Sequence, residues 1–235
     1  MENLSPYVYV LFGATVMLSA WLFIRATHYA RIPLVIISAW ILLQSALGLS
    51  GFYDDPASLT ARFPLLVAPP IVFLTALFLT RKGKTFIDGL DIRTLTLFHL
   101  IRIPVEIVLL LLFIGQSIPE AMTFEGRNLD ILSGLSAPVI YYLVFVNPKI
   151  GRTGLILWNI ACIALLLNVV TNAVLSLPDR YLQFGFEQPN VAVGCFPFLL
   201  LPALLVPLAL FSNAAAVRQL LIYKKEPSFN HPSKK

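Results

Sequence analysis

Charge is what this chain of 235 residues has least of: only 12% of it is Asp, Glu, Lys or Arg, against 58% hydrophobic residues and a mean hydropathy of +0.82. That is too little charge to cover a soluble globule of this length, so a water-soluble fold is excluded. Cysteine is scarce too. Cys162 and Cys195 lie in or beside apolar stretches, where they read as packing residues rather than a disulfide or a metal pair. Histidine occurs three times, and His231 is close to the C-terminus, which leaves too few for a histidine-rich zinc or di-haem centre. Gly-x-Ser-x-Gly, His-Glu-x-x-His and phosphate-loop motifs are missing. The Lys and Arg residues are spread over short loops, which excludes a nucleic-acid surface. Nothing in the chain names a cofactor.

Apolar runs are what the chain does have. A hydrocarbon core needs roughly 20 apolar residues per helix. Seven stretches come close: Tyr7–Ile24, Ile32–Leu49, Pro64–Thr80, Leu95–Gly115, Ile131–Val146, Gly154–Leu175 and Gly194–Tyr223. The last is long enough to be tilted or kinked. A covalently bound retinal needs a lysine in the last helix of such a bundle. No Lys occurs between Lys149 and Lys224, so that chemistry is excluded. The N-terminus lacks the basic region of a signal peptide and its apolar run has no small-residue cleavage site, so the first stretch is expected to stay as a helix.

The intervening loops test this count. Arg25 and Arg31 separate the first two stretches, Arg81, Lys82, Lys84 and Arg93 the third and fourth, Lys149 and Arg152 the fifth and sixth. Arg218, Lys224, Lys225, Lys234 and Lys235 close the chain. These thirteen fall on one side, against Arg62, Arg127 and Arg180 on the other, with Arg102 inside the fourth stretch or at its edge. The Lys/Arg bias places the N-terminus outside and the C-terminus in the cytoplasm. The acids Glu2, Asp54, Asp55, Glu120, Glu125, Asp130, Asp179 and Glu187 share the outer side.

One local echo runs through the chain. His-x-x-Arg-Ile-Pro begins at His28 and again at His99, and with one inserted residue Gln44-Ser45 then matches Gln116-Ser117. A parallel repeat of helix pairs would produce this. So would convergence, because a basic residue followed by Pro suits any helix start at a cytoplasmic interface. The echo leaves the fourth stretch with two starting points. A start near Leu95 puts His99 and Arg102 inside the bilayer. A start near Ile103 makes residues 91–101 an amphipathic interfacial segment with His99 and Arg102 as headgroup anchors.

Glu106 is the acid that neither start places in water, and an ionisable residue at depth is a functional-site hypothesis. His99, Arg102 and Glu106 are spaced three and four apart and share one helix face. Glu106 could then bind a cation or carry a proton, with Arg102 tuning it and His99 relaying protons. The bland alternative is an Arg102–Glu106 pair with His99 reaching the interface. Three carboxylates gather in the loop Ser117–Asp130. There Ser117-Ile-Pro-Glu120 has the spacing of a capping box and predicts a short helix ending near Gly126. Asn128 and Asp130 are read as caps of the fifth stretch. Glu125 has no such role and stays a binding candidate. Asn168, Thr171 and Asn172 form a polar face on the sixth stretch that Ser212 and Asn213 could meet, either as interhelical glue or as a cavity wall with Glu106. Pro69-Pro70 and Pro197, Pro202 and Pro207 are expected to interrupt the third and seventh stretches.

The sequence therefore reads as an all-α, single-domain, multi-pass membrane bundle of seven transmembrane helices over residues 1–225, with a short disordered cytoplasmic tail at 226–235. Its setting is the lipid bilayer of a cytoplasmic-type membrane, inner or plasma. The leading functional expectation is a cavity around Glu106 that binds or transports a small ion or polar solute. Arg102, His99, Asn168, Asn172 and Glu125 are the other ligand-binding candidates, and no metal set is expected. Two rivals stand beside it: a membrane-embedded enzyme acting on a lipid-like substrate with Glu106 or Glu125 as general base, and a non-catalytic accessory subunit docked on a protein partner.

Overall fold

The computed structural model of the chain describes residues 4–178 and 188–222. Asp179, Arg180 and Glu187 of the acidic loop, His231 and the tail 226–235 lie outside them. Among the described residues every regular element is helical. In chain order these are α1 (Pro6–Ala26), α2 (Arg31–Leu49), α3 (Pro56–Leu79), α4 (Arg81–Asp88), α5 (Ile92–Phe98), α6 (Arg102–Ile114), α7 (Ile131–Tyr141), α8 (Arg152–Leu175) and α9 (Val206–Ile222). A 3-10 turn, His99–Ile101, joins α5 to α6 without a break, so Ile92–Ile114 is one continuous run. Five π-helical residues extend α7 to Val146, and five more, Leu201–Leu205, lead into α9.

Long-range hydrogen bonds sort the loops onto two ends. The Asp91 amide donates to Ala26 O, Gln219 Nε2 donates to Ile87 O and Leu90 O, and Arg152 donates to Leu221 O. Arg218 makes a bidentate pair with Asp88, both bonds 3.0 Å long. These contacts gather the loops rich in Lys and Arg at one basic end. At the opposite end the amides of Val191 and Ala192 donate to Ser117 O, Thr60 donates to Pro178 O, and Asn190 donates to Ser176 O.

Among the described residues six helices are long and apolar enough to cross a membrane: Pro6–Ala26, Arg31–Leu49, Ser58–Leu79, Ile92–Ile114, Arg152–Leu175 and Leu201–Ile222. The fifth apolar stretch is the exception to the expected seven. Ile131–Val146 is a shorter helix, and it begins halfway along its neighbour, with Asp130 paired to Arg102 and Phe145 beside Arg93. The fourth span also begins earlier than either start considered from sequence. Asp91 caps it, its carboxylate accepting the amides of Arg93 and Thr94 at 3.2 Å. The amphipathic helix at the basic end is α4, not 91–101, and His99 is fully buried.

Prolines act locally. The Pro104 nitrogen has no hydrogen for the Leu100 carbonyl and its ring crowds that carbonyl; the turn His99–Ile101 just before it tightens to 3-10. α3 runs unbroken through Pro64, Pro69 and Pro70, contrary to the expected interruption. Pro207 denies Ala203 its helical donor, and Trp40 of α2 takes that place, Nε1 donating to Ala203 O at 2.8 Å. Trp40→Phe should cost about 1–3 kcal/mol by orphaning the carbonyl. Pro207→Ala should recover part of that loss because it restores an N–H in register, as measured by SDS-titrated unfolding of the single and double variants.

The two copies of the echo sit in different settings. Arg31 opens α2, whereas Arg102 is ten residues into a continuous helix. Gln44 is buried within α2, where it accepts the Tyr53 hydroxyl. Gln116 is the left-handed residue (φ 54°) of the Schellman motif that ends α6, its amide donating to Phe113 O and that of Ser117 to Leu112 O.

Candidate functional site

Beyond Gln116 the chain does not stay at the end of the bundle. The capping box predicted at Ser117 is absent: Ser117 Oγ donates to Gly115 O, and only a 3-10 turn, Glu120–Met122, follows. Residues 123–130 then descend alongside α6 without regular structure. Their local bonds run from the amides of Gly126 and Asn128 to Thr123 O. Irregular backbone inside a helical bundle survives only where protein encloses its polar groups, and Asn128 and Asp130 are 0% and 4% exposed.

The descent delivers two side chains to the middle of the Ile92–Ile114 run. Arg102 lies ten residues from one end of that run and twelve from the other, about 15 and 18 Å at 1.5 Å per residue. Asp130 forms an ion pair with Arg102 and also accepts the Ser133 hydroxyl at 3.1 Å. One turn further along α6, Glu106 is 1% exposed. Both its carboxyl oxygens accept from Asn128 Nδ2, at 2.7 and 2.8 Å. Asn128 is held in that orientation from both sides. Its Oδ1 accepts the Asp130 amide at 2.8 Å, and its Nδ2 also donates to Met122 O at 2.9 Å. Gly134 lets α7 approach closely enough for this, since a Cβ there would lie 2.8 Å from Ile103 Cγ1 and 3.3 Å from Arg102 Cβ.

The expected Arg102–Glu106 pair is therefore replaced by two separate pairs, Arg102–Asp130 and Glu106–Asn128. Toward the basic end the cluster is open in hydrogen-bonding terms. Arg102 Nε and Nη2 and both ring nitrogens of His99 are buried without a hydrogen-bond partner among the described residues. The His99 ring meets Trp158 edge-on, with centroids 5.4 Å apart. Ser212 Oγ and both polar atoms of the Asn213 amide in α9 are likewise buried and unpartnered.

The remaining sequence candidates make no hydrogen bond to Glu106 among the described residues. Asn168 is exposed and donates to Arg127 O at 2.7 Å, clamping the descending loop to α8. Asn172 and Asn159 bond back to their own helix, at Asn168 O and Leu155 O. Glu125 sits on the exposed turn of the loop. Asn128 and Asp130 are the site residues that sequence reasoning gave only a capping role. The usable signal was a pair of polar residues directly before a short apolar stretch.

Fold and site together define an all-helical protein, six of whose described helices are long and apolar enough to cross a membrane, with a charged and hydrogen-bonded cluster in its middle. The chain belongs to a family described as a domain of unknown function (DUF8737), whose profile matches residues 63–221. The match begins within α3, ends in α9 and includes His99, Arg102, Glu106, Asn128 and Asp130. Comparison with curated proteins and with solved structures gives no match.

Proposed function

We propose that this protein binds and passes a proton or a single monovalent cation at Glu106, in the middle of the bilayer. Its N-terminus would face outside and its C-terminus the cytoplasm, as the Lys/Arg distribution over the loops requires. The observation that carries this reading is the formal charge count of the buried cluster. One guanidinium, Arg102, faces two carboxyls, Asp130 and Glu106, and its ion pair is with Asp130. Glu106 is left with an amide as its partner, and one proton or one cation makes the cluster neutral. Uncompensated charge at this depth is costly enough that such sites are occupied or functional.

Each side chain has a role in this scheme. The Glu106 carboxyl takes the cation or proton, and Asn128 orients it. Asp130 keeps Arg102 neutralised, so that Arg102 does not expel the cation from Glu106. His99 is seven residues nearer the cytoplasmic end, about 10 Å along the helix axis, and its free nitrogens would accept the proton through a short water chain. Asn213 and Ser212 offer the same route further polar atoms. The enzyme alternative has less behind it, because among the described residues no carboxylate lines the cleft between α2, α3 and α9 and Glu106 does not touch it.

The test is flux. In liposomes carrying an internal pH dye, a potassium diffusion potential should drive proton uptake through the wild type, with sodium uptake followed in parallel. Glu106→Gln keeps an acceptor for Asn128 and should reduce the flux at least tenfold with an unchanged helical spectrum. Flux in that variant equal to wild type, or no flux of either ion in wild type, would sink the proposal.

A further inference from the structure

A second feature lies apart from the charged cluster. A cleft of about 900 Å³ opens between α2, α3 and the π-helical entrance to α9, at the upper end of the roughly 300–1,000 Å³ typical of small-molecule sites. Ile36, Trp40, Pro70, Phe73, Leu77 and Leu204 are among the residues that line it. The helices on its flanks pack loosely: 17% of the α2 span and 11% of the α3 span is buried, against 61% of the last span. The Trp40 indole N–H is already committed to Ala203 O, so the ring presents only apolar surface. The lining holds a single charge, Arg31, the first residue of α2 and exposed. Phe86 reaches the cleft from α4, whose first turn carries Arg81, Lys82 and Lys84.

Length and charge decide what fits. Along α2 the lining runs from Arg31 to Leu43, twelve residues or about 18 Å. A hydrocarbon core is roughly 30 Å thick, so this is close to the depth of one leaflet. A partner's transmembrane helix needs a groove along the whole span, and this one stops little more than halfway. An acyl chain of one leaflet matches it, and the cationic mouth at the basic end selects a negatively charged headgroup. We propose that the cleft is a specific site for one anionic glycerophospholipid of the leaflet at the basic end. Its chain lies against Trp40 and Phe73, and its phosphate is at Arg31. The site is independent of ion handling at Glu106.

Trp40 reports on its own site. In a Trp21→Phe/Trp158→Phe background, the protein is reconstituted in phosphatidylcholine and titrated with phosphatidylglycerol brominated in its chains. Quenching of Trp40 should saturate at a few mole per cent of the anionic lipid, whereas brominated phosphatidylcholine should quench only in proportion to its mole fraction. Arg31→Gln should raise the half-saturating fraction of phosphatidylglycerol about fivefold, the effect of one surface cation on an anionic lipid. Ala39→Phe, which fills the cleft, should abolish the saturable part. Equal and unsaturated quenching by both lipids means only annular contact and overturns the proposal. Absence of quenching by either lipid means another chain or segment occupies the cleft, and overturns it too. A second measurement does not depend on replacing Trp158: native mass spectrometry of the wild type should retain one phosphatidylglycerol per chain, and Ala39→Phe none. Equal retention by the two proteins would contradict the site.

Discussion

Asp130→Ala should destabilise the protein by about 3–5 kcal/mol, the usual consequence of removing one partner from a buried ion pair. Arg102 and Asp130 have side-chain exposures of 4% and 6%, so water cannot take over the role of the missing carboxylate. The loss comes less from the vanished attraction than from a guanidinium left uncompensated, two of whose nitrogens already lack a partner among the described residues. Removing both charges should behave differently. Arg102→Met combined with Asp130→Leu leaves no stranded ion and should recover most of the stability, because well-packed apolar pairs match or exceed buried ion pairs. Reversible SDS titration of the three proteins measures this. A loss below about 1 kcal/mol in Asp130→Ala would mean that Arg102 has another way to be neutralised.

Gly126→Ala should act on the same cluster from the loop that carries it. A Cβ at Gly126 would overlap the Glu120 carbonyl oxygen and lie 2.7 Å from its carbon and 3.0 Å from Ala121 Cα. All three are backbone atoms, so no side-chain rotation relieves the clash and the loop itself must move. A cost of about 1–3 kcal/mol is expected for such overpacking. Asn128 lies two residues on, so the shift should also misplace the amide that holds Glu106 and lower ion flux with it. Gly13→Ala is the control of opposite sign. Nothing approaches within 4 Å of a Cβ there, and replacing a mid-helix glycine by alanine should stabilise α1 by roughly 0.5–1 kcal/mol. If Gly126→Ala matches wild type in both flux and stability, the descending loop does not position Glu106.

Apolar length and basic loops made most of the bundle readable in advance. Ile32–Leu49 and Gly154–Leu175 were placed within two residues of α2 and α8, and the loops sorted by charge do meet at two ends, the basic one through the bonds of Asp91, Arg152, Arg218 and Gln219 and the other through those of Thr60, Asn190, Val191 and Ala192. The errors fell where one residue type fits two environments. Asn128 and Asp130 directly before a helix look like caps, and Asp130 does precede α7, yet their side chains are spent on Glu106 and Arg102. Asn168 and Asn172 look like a polar stripe facing a neighbour, but one clamps a loop carbonyl and the other bonds back to its own helix. Pro69-Pro70 look like a break and leave α3 unbroken.

By itself the sequence determined that the described residues are all-helical, where the six helices long and apolar enough to cross a membrane lie, which loops share an end, and that Glu106 lies far from water. Those are properties of hydrophobic runs and of charges in short loops, and each is decided within some twenty residues of chain. Only the tertiary structure decided that residues 123–130 fold back into the bundle and that α7 starts at its midpoint. It alone decided that Arg102 is answered by Asp130 and Glu106 by Asn128. Those choices depend on which polar groups can satisfy one another once water is excluded, and the partners are separated by more than twenty residues, beyond the reach of any local pattern.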